Sequence, residues 1–208
     1  FPRRGSDGAE PSEKFGFRKA LKNRAFYFLV LMLGLYFIAE HSVMNWPVTT
    51  GTGALGLTID EASGYLSLFF GGIMAGRLVF APVVQKFGIK RSIMAFTTAA
   101  TVLFVIATVM QQGGLLLLGI SGLFFSILYP TMVMLIQSYY PAGGVATAAG
   151  MIISAATLFD IGWNAVYGSL MDLIGMQNAY LLQGAAMILF FLCCAGLLDI
   201  RKVWKRRE

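Results

Sequence analysis

Apolar residues run along this chain in long blocks, unlike the short alternations of a half-buried sheet or the one-sided stripes of a surface helix. Blocks of about 20 residues with few charges, the length that crosses about 30 Å of hydrocarbon, fall at 26–46, 62–84, 92–111, 114–137, 145–169 and 179–200. Period-two alternation is absent, and a backbone in lipid must satisfy its own hydrogen bonds, so each block is expected to be a helix. Six crossings put both chain ends on one side. The expected organisation is a basic linker over 1–25, a six-helix transmembrane bundle over 26–200 and a basic tail over 201–208.

Composition agrees with lipid as the solvent. Of 208 residues 57% are hydrophobic and 12% charged, about half the charged fraction of a soluble domain, and mean hydropathy is +0.72. A formal charge of +6 would suit nucleic acid, but the 16 cations are placed otherwise. Seven precede the first block (Arg3, Arg4, Lys14, Arg18, Lys19, Lys22, Arg24) and five follow the last (Arg201, Lys202, Lys205, Arg206, Arg207). Arg77, Lys86, Lys90 and Arg91 lie at or near the turn between the second and third blocks. All therefore fall on one face, which the positive-inside rule makes cytoplasmic. A multi-pass protein of the cell membrane with both termini of this chain in the cytoplasm is expected; its partner is the lipid bilayer, and nucleic acid is not one. Loop 138–144 belongs on the same face but has no cation, so it is neutral on orientation.

The chain starts at Phe1, and 1–25 has no apolar stretch, so it is neither a signal peptide nor a span. A chain starting inside such a linker reads as the later part of a longer protein. Run 15–24 mixes aromatic, Leu and cationic residues and fits either an interfacial helix on anionic headgroups or a solvated linker. Catalysis is not expected. Cys193 and Cys194 are neighbours that point about 100° apart in a helix, which argues against a disulfide between them, and His41 is the only histidine, so no His/Cys metal cluster can form. Nucleophile elbow, phosphate-binding Gly loop and zinc-protease motif are all missing, so neither an enzyme nor a cofactor is expected.

Run 71–91, GGIMAGRLVFAPVVQKFGIKR, carries the main signature. Gly72 and Gly76 form a GxxxG pair that permits close helix approach, Arg77 lies about two turns before its span ends, and Gly88 breaks the chain among cations. The arrangement resembles the loop signature of the major facilitator superfamily, roughly G-x-x-x-D-R/K-x-G-R-R/K-R/K between the second and third helices of each six-helix half. Lys86, Gly88, Lys90 and Arg91 match; Ala81 replaces the first Gly, Gln85 the Asp, and Ile89 the first trailing basic residue. The resemblance implies an all-α fold that is half of a twelve-helix transporter, with Gly76, Arg77, Lys86, Gly88, Lys90 and Arg91 as the gating-loop motif. The degraded signature implies the C-terminal half, with a missing N-terminal half as partner, and Gln85 stands where the resemblance would place the acid of the usual gating ion pair.

A finer resemblance rests on a Glu late in the first span followed six residues later by Trp, on S-x-x-x-G-G-x-x-x-G-R across 67–77, and on Tyr129, Pro130 and Thr131. It is to the fucose-permease-like branch, proton-linked sugar carriers. This implies secondary active transport of a small solute, a sugar, with a proton as driver and with coupling acids mainly in the absent half. Drug and organic-anion carriers share the scaffold. A stand-alone six-helix protein with a structural or partner-binding role is the reading from another class.

Polar groups inside lipid are costly and are functional candidates. Glu40, late in the first span, is a proton carrier or substrate acceptor, or else an interfacial acid reaching water. His41 and Asn45 share a face at i, i+4, with Trp46 beside them and Glu40 about 100° away. Pro47 and the following TTGTGALGLT are expected to end that helix in a loosened outer mouth. Thr157, Asp160, Asn164 and Tyr167 make one polar stripe, flanked by Trp163, and serve either as a cavity wall or as helix glue. Ser126, Tyr129 and Gln137 form a weaker set. Ala146, Gly150 and Ser154 have small-xxx-small spacing suited to packing, and Trp46, Tyr180 and Trp204 suit interfacial anchoring.

Overall fold

The structure, a computed structural model, describes residues 16–204, with side chains to residue 196. The expected linker before residue 16, with Arg3, Arg4 and Lys14, and the tail end, with Lys205, Arg206 and Arg207, lie outside the described residues. So do the side chains of Arg201, Lys202 and Trp204.

Each apolar block is helical. In chain order the helices are α1 (Phe17–Lys22), α2 (Arg24–Asn45), α3 (Pro47–Ala54), α4 (Ile59–Phe87), α5 (Ile89–Met110), α6 (Leu115–Phe125), α7 (Leu128–Ile136), α8 (Val145–Ile174) and α9 (Met176–Trp204). Five stretches are long and apolar enough to cross a membrane. The longest of them, Ile89–Ile136, holds two crossings, because the chain reverses in a 3-10 turn at Gln111–Gly114 and α6 packs back along α5. The described residues thus make the six expected crossings, the fourth being α6 and α7 together.

Local chemistry sets the boundaries. A capping box opens α4: the Glu61 N–H donates to Thr58 Oγ1 at 3.3 Å and the Thr58 N–H donates to Glu61 Oε2 at 2.9 Å. Gly88 ends it with φ 80°, a left-handed backbone that side chains disfavour, and immediately opens α5. The expected loose mouth after Pro47 is instead helix α3. Proline at the first helical position needs no N–H there and pre-sets φ, and the short helix then packs on α4 and α9.

Aromatic rings fill the centre. Tyr36 of α2 meets Phe125 of α6 at 5.9 Å and Phe190 of α9 at 5.6 Å between centroids, while Phe69 of α4 reaches Phe125 at 5.5 Å. The GxxxG expectation is met: a Cβ on Gly76 would strike the Leu123 carbonyl and the Ser126 side chain, and one on Gly72 would lie 3.0 Å from the Leu123 nitrogen. These two glycines let α4 lie backbone-to-backbone on α6.

Two packing expectations need correction. The Ala146, Gly150 and Ser154 row lies on the open face of α8, with nothing within 4 Å of a Cβ on Gly150, because α8 buries the opposite row, Ala148, Ile152 and Ala156. Tyr180 is 2% exposed, so it packs inside the bundle, one turn into α9, instead of anchoring at an interface. Cys193 and Cys194 are both free thiols.

Residues 20–23 and the α7–α8 loop share one end. Asn23 Nδ2 donates to the Tyr139 carbonyl at 3.1 Å and Tyr140 OH to the Ala20 carbonyl at 3.4 Å. Within run 15–24, α1 is therefore docked by fully buried Ala20, while Phe17 stays exposed.

Candidate functional site

Helices α2 and α8 pack together with the Phe159 ring against Gly34, where a Cβ would lie 2.8 Å from Phe159 Cδ1. The approach brings the polar face of α2 onto the stripe of α8. His41 Nδ1 and Asp160 Oδ2 are 2.5 Å apart, with side chains 31% and 7% exposed. Asn164, one turn on, donates from Nδ2 to Asp160 Oδ1 at 3.0 Å, so both carboxylate oxygens have partners. Its own Oδ1 accepts from Trp46 Nε1 at 3.0 Å and from Asn45 Nδ2 at 3.2 Å. His41, Asn45, Trp46, Asp160 and Asn164, picked out on two separate blocks of sequence, form one continuous network.

Aromatic groups frame the network. The Phe37 ring lies flat on His41 (centroids 5.3 Å, planes 9° apart), and Tyr129 of α7 stacks on Phe37 at 5.9 Å. Further along the stripe Tyr167 is fully buried, accepts from Gln183 Nε2 at 2.7 Å, and packs against Trp46 and Trp163 at 5.0 and 5.7 Å. Trp163 Nε1 is buried without a partner. Thr157 turns its hydroxyl to the Ile153 carbonyl of its own helix at 2.9 Å, and Ser126 does the same toward Leu123 at 2.6 Å.

Glu40 is 9% exposed, buried rather than interfacial, and has His41, Arg77 and Asp160 as charged neighbours. Its offset from His41 around α2 places it beside the network, outside the hydrogen-bonded chain. Gln137 is not brought in: it caps the exposed end of α7, two residues before Tyr139, which the chain start holds at the opposite end of the span.

The gating-loop residues divide by position. Gly76 is at the α4–α6 contact, whereas Lys86, Gly88, Lys90 and Arg91 are exposed at the α4–α5 turn, with Lys86 Nζ 5.8 Å over the Phe87 ring. Arg77 is exposed too but lies further along α4, where its Nε–H donates to the Ser126 carbonyl at 3.4 Å. It lines a cavity of about 470 Å³ between α4 and α7, together with Gln85, Gly88, Pro130 and Thr131.

Chemically, the site joins a lone imidazole, about a third exposed, to a buried carboxylate. Its neighbours are amides and aromatic faces of the kind that bind polar, hydroxyl-bearing solutes. Sequence reading passed over Gln183 and Phe37. Gln183 carries the signal that exposed Asp160, a polar residue inside an apolar block; nothing in the pattern separates Phe37 from the other phenylalanines.

No protein-family model matches the sequence, and no curated protein matches it. Its structure is similar to that of a major facilitator superfamily transporter, FucP, in the outward conformation, with a TM-score of 0.76 and 20% identity over 94% of this chain and 48% of that one. It is equally similar to a structure of the E. coli fucose:proton symporter FucP, with a TM-score of 0.76 and 20% identity over 94% of this chain and 49% of that one. The chain spans about half the length of these transporters. It has the fold of one half of a major facilitator superfamily transporter.

Proposed function

We propose that this chain is the C-terminal half of a secondary transporter that moves a small solute by alternating access, with the His41–Asp160 pair carrying the coupling proton. The 2.5 Å contact between these two groups, inside a largely apolar bundle, supports the reading most directly. An ionisable pair at that depth costs free energy, and a transport path is the usual reason for keeping one. His41 has water access on one side, while the buried carboxylate gives the proton a second resting place. Alternating access then rocks this half against its partner about a fixed central site. The cation-rich end faces the cytoplasm and Trp46 lies toward the opposite mouth.

The solute is a neutral sugar: Trp46 and Trp163 offer flat faces to a pyranose ring, and Asn45 and Asn164 offer amides to its hydroxyls. Arg77 in the α4–α7 cavity is the observation on the side of an organic-anion carrier. Uptake into proteoliposomes holding the full carrier, under an inward proton gradient and measured for labelled fucose and for a labelled organic anion, separates the two. Uptake of the sugar supports the proposal, whereas uptake of the organic anion with none of the sugar overturns the sugar assignment.

A further inference from the structure

The fourth span is interrupted. Helix α6 stops at Phe125 and α7 starts at Leu128, which leaves Ser126 and Ile127 as a turn within the crossing. Four residues after Ser126 stands Pro130, which has no N–H and cannot donate to the Ser126 carbonyl as a helix would require. Ser126 is 1% exposed, so its carbonyl has no water to turn to, and leaving it bare is costly. The group that reaches it comes from another helix: Arg77 Nε–H donates to it at 3.4 Å.

Arg77 is itself out of place by ordinary rules. It lies ten residues before the end of α4, about 15 Å along the helix from that end; among the described residues no carboxylate is within ion-pair distance of it, and Glu40 is the acid that feels its charge. A cation at that position needs compensation, and the freed carbonyl supplies part of it. Gly76 brings this stretch of α4 against 123–126 by direct backbone contact. Just past the break, Tyr129 stacks on Phe37, which in turn lies flat on His41.

We infer that Arg77 is a positioning residue for the break in the fourth span: it takes the carbonyl that Pro130 leaves free and thereby holds Tyr129 against the Phe37–His41 stack. The bond goes beyond the transport reading, because it concerns how the span is held whatever solute is carried.

The test is a double-substitution cycle in the full carrier, read by hydrogen–deuterium exchange over 123–133 without added solute. Arg77→Ala should speed exchange in that segment on the order of tenfold, the effect of orphaning one buried carbonyl. Pro130→Ala restores an N–H four residues after Ser126, so Arg77→Ala/Pro130→Ala should exchange within about twofold of Pro130→Ala alone. Arg77→Lys, which lacks the Nε–H fork, should fall between wild type and Arg77→Ala. If Arg77→Ala does not accumulate in the membrane, adding Pro130→Ala should recover it. Unchanged exchange in Arg77→Ala, or no rescue by Pro130→Ala in either exchange or accumulation, overturns the inference and returns Arg77 to a role in the cavity. Because no solute is present, these outcomes are independent of whether sugar transport is correct.

Discussion

Replacing His41 and Asp160 singly and together should show strong, asymmetric coupling. At 2.5 Å, a full ion pair in a medium of effective dielectric about 20 attracts by roughly 6–7 kcal/mol before desolvation. Desolvation of the two groups removes most of that, which leaves about 1.5–3 kcal/mol for a charge-assisted hydrogen bond. The two single variants should differ. Asp160→Asn keeps the shape of the side chain and leaves a partly exposed imidazole free to shed its proton, so it should cost about 1–2 kcal/mol, the lower part of the hydrogen-bond range. His41→Gln instead leaves a 7% exposed carboxylate with only the Asn164 amide as side-chain donor, which should cost about 3–5 kcal/mol. His41→Gln/Asp160→Asn should be less destabilised than the sum of the two. Thermal unfolding of the full carrier in detergent micelles gives all four values. Additivity within about 0.5 kcal/mol, or a larger cost for Asp160→Asn than for His41→Gln, would refute the pairing as drawn.

Three further substitutions probe its surroundings. Glu40→Gln should weaken binding of the proposed sugar or flatten its pH dependence, measured by titration calorimetry, through loss of a buried carboxyl beside His41, Arg77 and Asp160; an unchanged affinity and pH profile removes Glu40 from the site. Asn164→Ala should lower stability by about 1–3 kcal/mol, since it strands Trp46 Nε1 and one oxygen of Asp160, and unfolding midpoints check this. Gly88→Val has open space for its side chain but a φ of 80° to tolerate, a strain of about 1–3 kcal/mol. It should slow interconversion, seen as a lower exchange rate, more than it weakens equilibrium binding.

Much of this was legible because lipid simplifies the code. Six apolar blocks became six crossings within a few residues, since a span must be about 20 residues long whatever its partners. The stripe from Thr157 to Tyr167 and the pair His41 and Asn45 were visible as helical faces, and the fold joined them. Facing was harder to read. The Ala146 row and the buried Ala148 row are both small enough to pack, and only the neighbouring helices decide between them. Tyr180 was misplaced for a related reason, because distance along the span does not say whether a residue points in or out; Gln137 was grouped with Ser126 and Tyr129 although it lies at the other end of the span. The segment after Pro47 was misjudged because Gly and Thr are poor helix formers in isolation, whereas contact with α4 and α9 stabilises a short helix there. The Arg77–Ser126 contact spans 49 residues, and no spacing rule connects its ends.

Proton movement driven by the solute tests the transport reading most directly. Proteoliposomes holding the full carrier and a trapped pH dye, with no imposed gradient, should acidify inside when the proposed sugar substrate is added outside. With Asp160→Asn the acidification should vanish, while exchange of labelled for unlabelled sugar, which needs no net proton transfer, continues. Equal acidification by wild type and Asp160→Asn would contradict the assignment of the coupling proton to the His41–Asp160 pair.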